Sequence, residues 1–295
     1  MNAVRNTTAI IVAAVAGAVL GLVQVTAAEL TDITTLGADF GGGNDRVQGV
    51  QVTLVAWYCA MAVPLAVAIA GARRDLGLKT RAVAVLAAAA GTFAAYPLVV
   101  EFSGDALRHG VLSAVPVGIL LGIVGASAVA VAPAVGKGLA AYVTLLWAAA
   151  LGSTAFVSNT TVYAGLVQPL GLDSLDSLGS SLPDLPYNLG YHLPTMLPVA
   201  VAILVLAGVL SGVTARRTGT WVASIATGAA GPVLAAVLYR LTPDQVTLWN
   251  ESAGALVFAL AVCCLLIATA VTAVFRRRAP RGHDSETGPI PDPTG

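Results

Sequence analysis

The chain has 295 residues, of which 57% are hydrophobic and only 10% charged, and its mean hydropathy is +0.84. Soluble domains carry about 25% charged residues, so this chain lacks the charge to cover the surface of a soluble protein of its size. Fifteen basic residues balance fifteen acidic ones, which excludes a basic nucleic-acid-binding protein, and the apolar excess excludes a disordered chain. The composition indicates an integral membrane protein with several spans.

Eight runs of the sequence contain no Asp, Glu, Lys or Arg and are long enough to cross a bilayer core, which takes roughly 20 apolar residues. The runs are residues 8–27, 51–72, 82–100, 111–133, 138–157, 194–215, 220–239 and 252–275. They are too long for barrel strands, which show about ten alternating residues. Because helices and closed barrels alone satisfy backbone polar groups in lipid, we predict an all-α integral membrane protein with about eight transmembrane helices.

The cations predict the orientation of these helices. With the N-terminus in the cytoplasm, twelve Lys and Arg residues fall on the cytoplasmic side and three fall outside. The twelve are Arg5, Arg73, Arg74, Lys79, Arg81, Lys137, Arg216, Arg217, Arg276, Arg277, Arg278 and Arg281. This positive-inside bias predicts a multi-pass protein of the cell membrane with both termini cytoplasmic.

The first span has a second interpretation. Arg5, the apolar run and the small residues at 25–28 also resemble a secretory signal with a cleavage site. Cleavage would leave seven spans and an outside N-terminus. The run is longer than the usual signal core, which favours a retained helix.

The order of features repeats along the bundle, which we assign to residues 1–275. Spans 1–4 (residues 1–133) and spans 5–8 (residues 134–275) each show a long outer loop (28–50 and 158–193), an Arg-Arg turn and a short outer loop. Residues 72–74 and 215–217 both read Ala-Arg-Arg, and residues 90–91 and 230–231 both read Ala-Gly. Two units with even span numbers have the same orientation, so we predict two parallel four-helix repeats. Residues 276–295 are predicted to form a disordered cytoplasmic tail.

Glycines spaced four apart indicate close helix contacts, because small residues let helices approach closely in lipid. Such pairs occur in span 1 (17 and 21), span 4 (118 and 122) and span 6 (208 and 212). Pro64 and Pro232 lie in mid-span and predict kinks. All three cysteines fall within spans, where we expect buried free thiols.

The outer loops hold the clustered chemistry of the sequence, since the spans have no ionisable residues. Glu101, Asp105 and His109 lie close together in the loop 101–110, and His192 ends the second long loop. These four side chains are candidate ligands for a divalent metal on the outer face. A hydrated acidic surface is the alternative interpretation, and no short metal-binding motif is present. We therefore predict no committed metal, catalytic or cofactor-binding residue, and no cofactor.

The second long loop also contains leucines at helical spacing, at positions 172, 175 and 178. This spacing predicts a short amphipathic helix on the outer surface, either as an interfacial segment or as a lid.

Three classes of function remain open. The absence of any catalytic fingerprint favours a non-enzymatic accessory or scaffold protein of the envelope, with the bilayer, a membrane protein or a second copy as partner. A small-molecule transporter built on the four-plus-four duplication is the alternative, for which an open polar cavity lined by Thr92, Ser224 or Thr227 would be required. A membrane enzyme with a site on the outer face is the third. The Ala, Val, Gly and Arg usage is typical of a bacterial genome rich in GC.

Overall fold

The computed structural model of the protein describes residues 2–31, 33–37, 45–71, 76–156, 167–168, 171–172, 187–218, 220–241 and 248–278. Nearly all of these residues are helical. The helices are α1 (Asn2–Leu30), α2 (Asp45–Gly71), α3 (Leu78–Thr92), α4 (Tyr96–Phe102), α5 (Asp105–Val131), α6 (Pro133–Phe156), α7 (Tyr187–Thr218), α8 (Trp221–Leu241) and α9 (Leu248–Arg278). A 3₁₀ turn at Phe93–Ala95 joins α3 to α4.

Eight helical segments in the described residues are long and apolar enough to cross a membrane, with α3 and α4 counted as one. This confirms the predicted all-helical class and the number of spans. Several helices extend beyond the predicted spans. Helices α2 and α7 begin at Asp45 and Tyr187, within the two long predicted loops, and α5 begins at Asp105, within the predicted loop 101–110. Helix α9 continues to Arg278, within the predicted tail. The remainder of that tail, residues 279–295, lies outside the described residues.

The break in a spanning helix falls at Pro97 and not at the two prolines that we singled out. Because Pro97 has no amide hydrogen, the carbonyl of Phe93 loses its helical partner, and the chain takes 3₁₀ geometry at that point. Helices α2 and α8 continue through Pro64 and Pro232. The kinks at these two positions stay predictions.

Two hydrogen bonds show that α5 runs antiparallel to the helix formed by α3 and α4. The Gly104 amide donates to the Leu36 carbonyl (2.9 Å), so the end of α1 lies beside the turn between α4 and α5. At the opposite end of the bundle, the Arg81 guanidinium donates to the Ala130 carbonyl (2.7 Å), which joins the start of α3 to the end of α5.

The helix contacts arrange the bundle as four consecutive layers of two helices. The layers are α1 with α3, α2 with α5, α6 with α8, and α7 with α9, and each layer packs against the next. Among the described spans, α2 is the most enclosed, since 83% of the residues in its most apolar stretch are buried. Two ring contacts join the second layer to the third: Trp57 meets Tyr142 edge-on (centroids 5.6 Å apart), and Tyr58 stacks on Trp147 (5.7 Å).

The predicted glycine pairs all lie at helix contacts. A methyl group on Gly118 would lie 2.9 Å from the carbonyl carbon of Ala56 in α2, and one on Gly17 would lie 3.1 Å from that of Ala88 in α3. These two glycines therefore bring backbone against backbone. The pair in α7 is different, because Gly208 and Gly212 face side chains of α9.

Two other expectations need correction. Cys263 is exposed on the surface of the bundle, whereas Cys59 and Cys264 are buried as predicted. Leu172 does not begin a helix: it lies in a two-residue strand, β2 (Gly171–Leu172), which pairs with β1 (Val167–Gln168) in an antiparallel hairpin. The strands are separated by residues 169–170, and Pro169 disfavours a helix there. The other two leucines of the predicted amphipathic helix, at 175 and 178, lie outside the described residues.

The packing of α5 on α2 predicts a clear effect of one added methyl group. We expect Gly118→Ala to lower the free energy of unfolding by about 1–3 kcal/mol, because the new Cβ must push the α2 backbone away. The measurement is reversible unfolding in mixed micelles with increasing SDS. Gly71→Ala is the matched control, since its Cβ meets open space, and a helical Ala there should be neutral or stabilising by about 0.5–1 kcal/mol. Equal effects of the two substitutions would contradict the close contact.

Candidate functional site

Three of the four candidate metal ligands lie on the surface of the described bundle. Glu101 lies near the end of α4, and Asp105 and His109 lie in the first turns of α5, and all three side chains are exposed. His192 lies in α7, but the described part of the structure does not include its side chain. Among the side chains that the structure describes, no three His, Cys, Asp or Glu residues are grouped to hold a metal ion. A metal site that includes His192 therefore stays a prediction.

A different carboxylate organises this end of the bundle. The Oε2 atom of Glu29 accepts hydrogen bonds from the Thr34 hydroxyl (3.0 Å) and the Leu36 amide (3.2 Å). The Oε1 atom of Gln51, which is only 1% exposed, accepts one from the Thr35 amide (3.1 Å). The two bonds to the Glu29 carboxylate are charge-assisted, and the three bonds together satisfy donors of the segment that follows α1. The network holds the residues after α1 against α2, which is a structural role that the sequence analysis missed.

Gln24 is the second polar residue that the sequence analysis missed. Its Nε2 atom donates to the Tyr58 carbonyl of α2 (3.4 Å) and to the Leu20 carbonyl of its own helix (3.3 Å). Its Oε1 atom is buried without a hydrogen-bond partner. An amide within an apolar run is a signal in the sequence itself, because such a group needs an internal partner in lipid.

The hydroxyls proposed to line a transport cavity are closed to solvent. Thr92 and Ser224 are fully buried and Thr227 is 3% exposed. Each hydroxyl donates to the carbonyl four residues earlier in its helix, at 2.9 Å, 2.7 Å and 2.6 Å respectively. Thr92 also lies 3.4 Å from the carbonyl of Gly17. Hydroxyls that bond to their own helix in this way are ordinary in membrane helices.

Three other buried hydroxyls in the described part of the second half have no such bond. Tyr142 in α6, Ser211 in α7 and Thr272 in α9 are buried, and none of the three oxygens has a hydrogen-bond partner. Ser211 lies directly against Gly228 of α8. Near the ends of these helices, the Arg216 guanidinium lies 4.3 Å from the Phe275 ring centroid, and that of Arg276 lies 5.8 Å from the Trp221 ring centroid. These cation–π contacts fasten α7, α8 and α9 together at their Arg-bearing end.

No protein-family model, curated protein or solved structure matches the chain. Function has to be argued from the residues alone. The described interior contains amides, hydroxyls, thiols and aromatic rings. Glu101, Asp105 and His109 are exposed, and the described residues include no group of three that could hold a metal ion. In the part of the chain that the structure describes, this arrangement is suited to holding helices together.

The unpartnered hydroxyls predict an unusual tolerance to apolar substitution. We expect Ser211→Ala and Thr272→Val to leave the free energy of unfolding unchanged or to raise it, because removing an unbonded buried polar group removes a desolvation penalty. Thr92→Val is the control, and we expect it to be destabilising by about 0.5–1 kcal/mol through loss of its hydrogen bond. SDS-driven unfolding in mixed micelles measures all three. A large loss of stability in Ser211→Ala or Thr272→Val would show that these hydroxyls have partners.

Proposed function

We propose that the protein is a non-enzymatic, multi-pass accessory or scaffold protein of a bacterial cell membrane. The single observation that carries this proposal is the closed state of the interior: Thr92, Ser224 and Thr227 are sealed from solvent and bonded to their own helices. Coupled carriers and proton relays usually place ionisable groups inside the membrane, and the eight apolar runs contain none. A bundle of this kind offers its surfaces, and not its interior, to other molecules.

We further propose that spans 1–4 and 5–8 are two parallel repeats. Helix contacts support this proposal. In the first half, α2 and α3 contact each other and both α1 and α5; in the second half, α7 and α8 contact each other and both α6 and α9. In neither half do the first and last helices form an extensive contact among the described residues. Each half therefore has five of its six possible helix–helix contacts. The five are the same in both halves when the helices of each half are numbered in chain order.

The first span is proposed to be a retained helix, with both termini in the cytoplasm. Helix α1 continues without interruption through the stretch that resembles a cleavage site, and Val25 and Ala28 in that stretch are buried against the bundle. The cations at the starts of α1, α3 and α6 and the ends of α7 and α9 support the orientation.

The orientation predicts the behaviour of reporter fusions. A fluorescent protein that folds only in the cytoplasm should fluoresce when fused after residue 278, and alkaline phosphatase fused there should be inactive. Fusions after residue 103, at the turn between α4 and α5, should show the reverse. An active phosphatase at the C-terminus would overturn the proposed orientation.

A small-molecule transporter is the second candidate function. The observation in its favour is the presence of four unpartnered polar atoms deep in the described bundle, on Gln24, Tyr142, Ser211 and Thr272. An alternating-access carrier would expose such atoms in another conformation. A membrane enzyme has no comparable support, since Glu101, Asp105 and His109 are exposed and do not form a described metal-binding group.

Thiol accessibility distinguishes the scaffold from the transporter. We expect Thr92→Cys, Ser224→Cys and Thr227→Cys, each made in a Cys263→Ala background, to resist a membrane-impermeant maleimide in native membranes. The physical reason is that a closed interior never admits the reagent. Buried Cys59 and Cys264 stay in place and supply the background level of labelling.

Asp105→Cys is the matched positive control, because this side chain is exposed at the end of a helix. It should label fully from one side of the membrane. Labelling of two or more of the interior cysteines from one side would contradict the scaffold role and favour the transporter.

A further inference from the structure

The contact between the two halves is head-to-tail. Helices α2 and α5, the second and fourth spans of the first half, face α6 and α8, the first and third spans of the second half. A two-fold contact would use the same faces from both halves. Here one half presents the face of spans 2 and 4, and the other presents the face of spans 1 and 3. This leaves the face of α1 and α3 at one end of the bundle, and the face of α7 and α9 at the other end, without a helix against them among the described residues.

Two anchors give the register between the repeats. The shared Ala-Arg-Arg turns equate residue 58 in α2 with residue 201 in α7. The shared Ala-Gly pairs equate Gly91 with Gly231, and these glycines lie against Ala14 of α1 and Tyr142 of α6 respectively. Ala14 therefore corresponds to Tyr142, and five residues further along, Val19 corresponds to Trp147.

With this register, each residue at the centre of the contact between the two halves can be matched to a residue on one of the two free faces. The pair Tyr58 and Trp147, whose rings stack inside the bundle, corresponds to the pair Val201 and Val19. Tyr58 is 4% exposed, whereas Val201 is 49% exposed and Val19 is 51% exposed. Each valine belongs to a stripe of exposed β-branched residues spaced four apart. The stripes are Ile11, Val15, Val19 and Val23 on α1, and Val201, Val205, Val209 and Val213 on α7.

The two stripes also lie at matching depth. Val19 is fourteen residues from Arg5, and Val201 is fifteen residues from Arg216. At 1.5 Å per helical residue, each valine lies about 21–23 Å from the arginine of its helix. Two copies with the same orientation therefore bring Val19 of one to the level of Val201 of the other.

We propose that a second copy of this chain packs its α7–α9 face on the α1–α3 face of the first, repeating the head-to-tail contact made inside the chain. A head-to-tail contact closes into a ring or continues as a file, according to its rotation about the membrane normal. This proposal rests on the repeat proposed above and is independent of whether the interior is closed. Stripes of residues four apart pack as ridges into grooves, which is the common way for two helices to meet.

Disulfide crosslinking between two differently tagged copies tests the contact. One copy carries Val19→Cys and the other carries Val201→Cys, both in the Cys263→Ala background with the two buried thiols retained. The copies are coexpressed, their membranes are treated with copper phenanthroline, and the mixed dimer is detected by its two tags on a non-reducing gel. Val19 and Val201 lie in the first and last layers of one chain, so a crosslink between them must join two chains.

The matched control replaces Val201→Cys with Leu120→Cys, on a lipid-exposed position (64% exposed) of α5 that belongs to neither free face. We expect the Val19–Val201 pair to give at least tenfold more mixed dimer than the Val19–Leu120 pair. Equal yields would show random collision in the membrane, with lipid covering both faces, and would overturn the proposal.

Single-molecule photobleaching of the unsubstituted protein, labelled once at its C-terminus and kept in native nanodiscs, provides a measurement that no cysteine variant can disturb. We expect two or more bleaching steps in most particles, and a single step throughout would also overturn the proposal. A failed crosslink together with closed interior thiols would remove the second copy and leave the accessory role standing.

Discussion

Close approach of helix backbones at small residues is the constraint on which the rest of the structure depends. Lipid tails are as apolar as the helices, so no hydrophobic drive brings the spans together, and van der Waals contact at short range must do so. Gly17 and Gly91 let α1 and α3 meet backbone to backbone, and Gly118 does the same for α5 and α2. Each of these contacts defines or joins a layer of the bundle, and the layers determine which faces are left at the two ends.

The treatment of polar groups follows from the same environment. A hydroxyl in lipid has little choice of partner, and most of those described here bond to the preceding turn of their own helix. A hydrogen bond within one helix does not join that helix to its neighbour. The exceptions among the described residues are the amide of Gln24 in α1 and the hydroxyls of Tyr142, Ser211 and Thr272 in the second half, and at these positions the interior departs from simple packing. The closed bundle supports the accessory role, and these four positions are the observations that favour the transporter.

The sequence predicts the spans well and the rotation of each helix poorly, for one physical reason. Length and the lack of charge are demanded by the bilayer itself, so the eight runs could be found by counting. A helix that is hydrophobic on every side has no contrast between a polar and an apolar face, so its sequence does not indicate which face is buried. The exposure of Cys263, the Gln24 contact with α2 and the role of Glu29 beyond the end of α1 depend on that rotation. The glycine pairs were predictable because size, and not polarity, marks the contact face.

The contact between the two halves of the chain, called here the inner seam, differs in composition from the two free faces. This difference affects how strongly two copies would bind each other. The inner seam is filled by large rings, with Trp57, Tyr58, Tyr142 and Trp147 interlocked between layers, and ring pairs add about 0.5–1.5 kcal/mol each beyond their buried area. In the proposed repeat, the corresponding positions on the two free faces carry Ala14, Val19, Ala200 and Val201, which are smaller and have no rings. If the free faces also carried aromatic rings, the contact between two copies would be as strong as the contact between the two halves of one chain. Because the rings are confined to the covalently joined seam, the contact between copies is expected to be the weaker one, which allows copies to assemble and separate while each four-plus-four bundle stays intact.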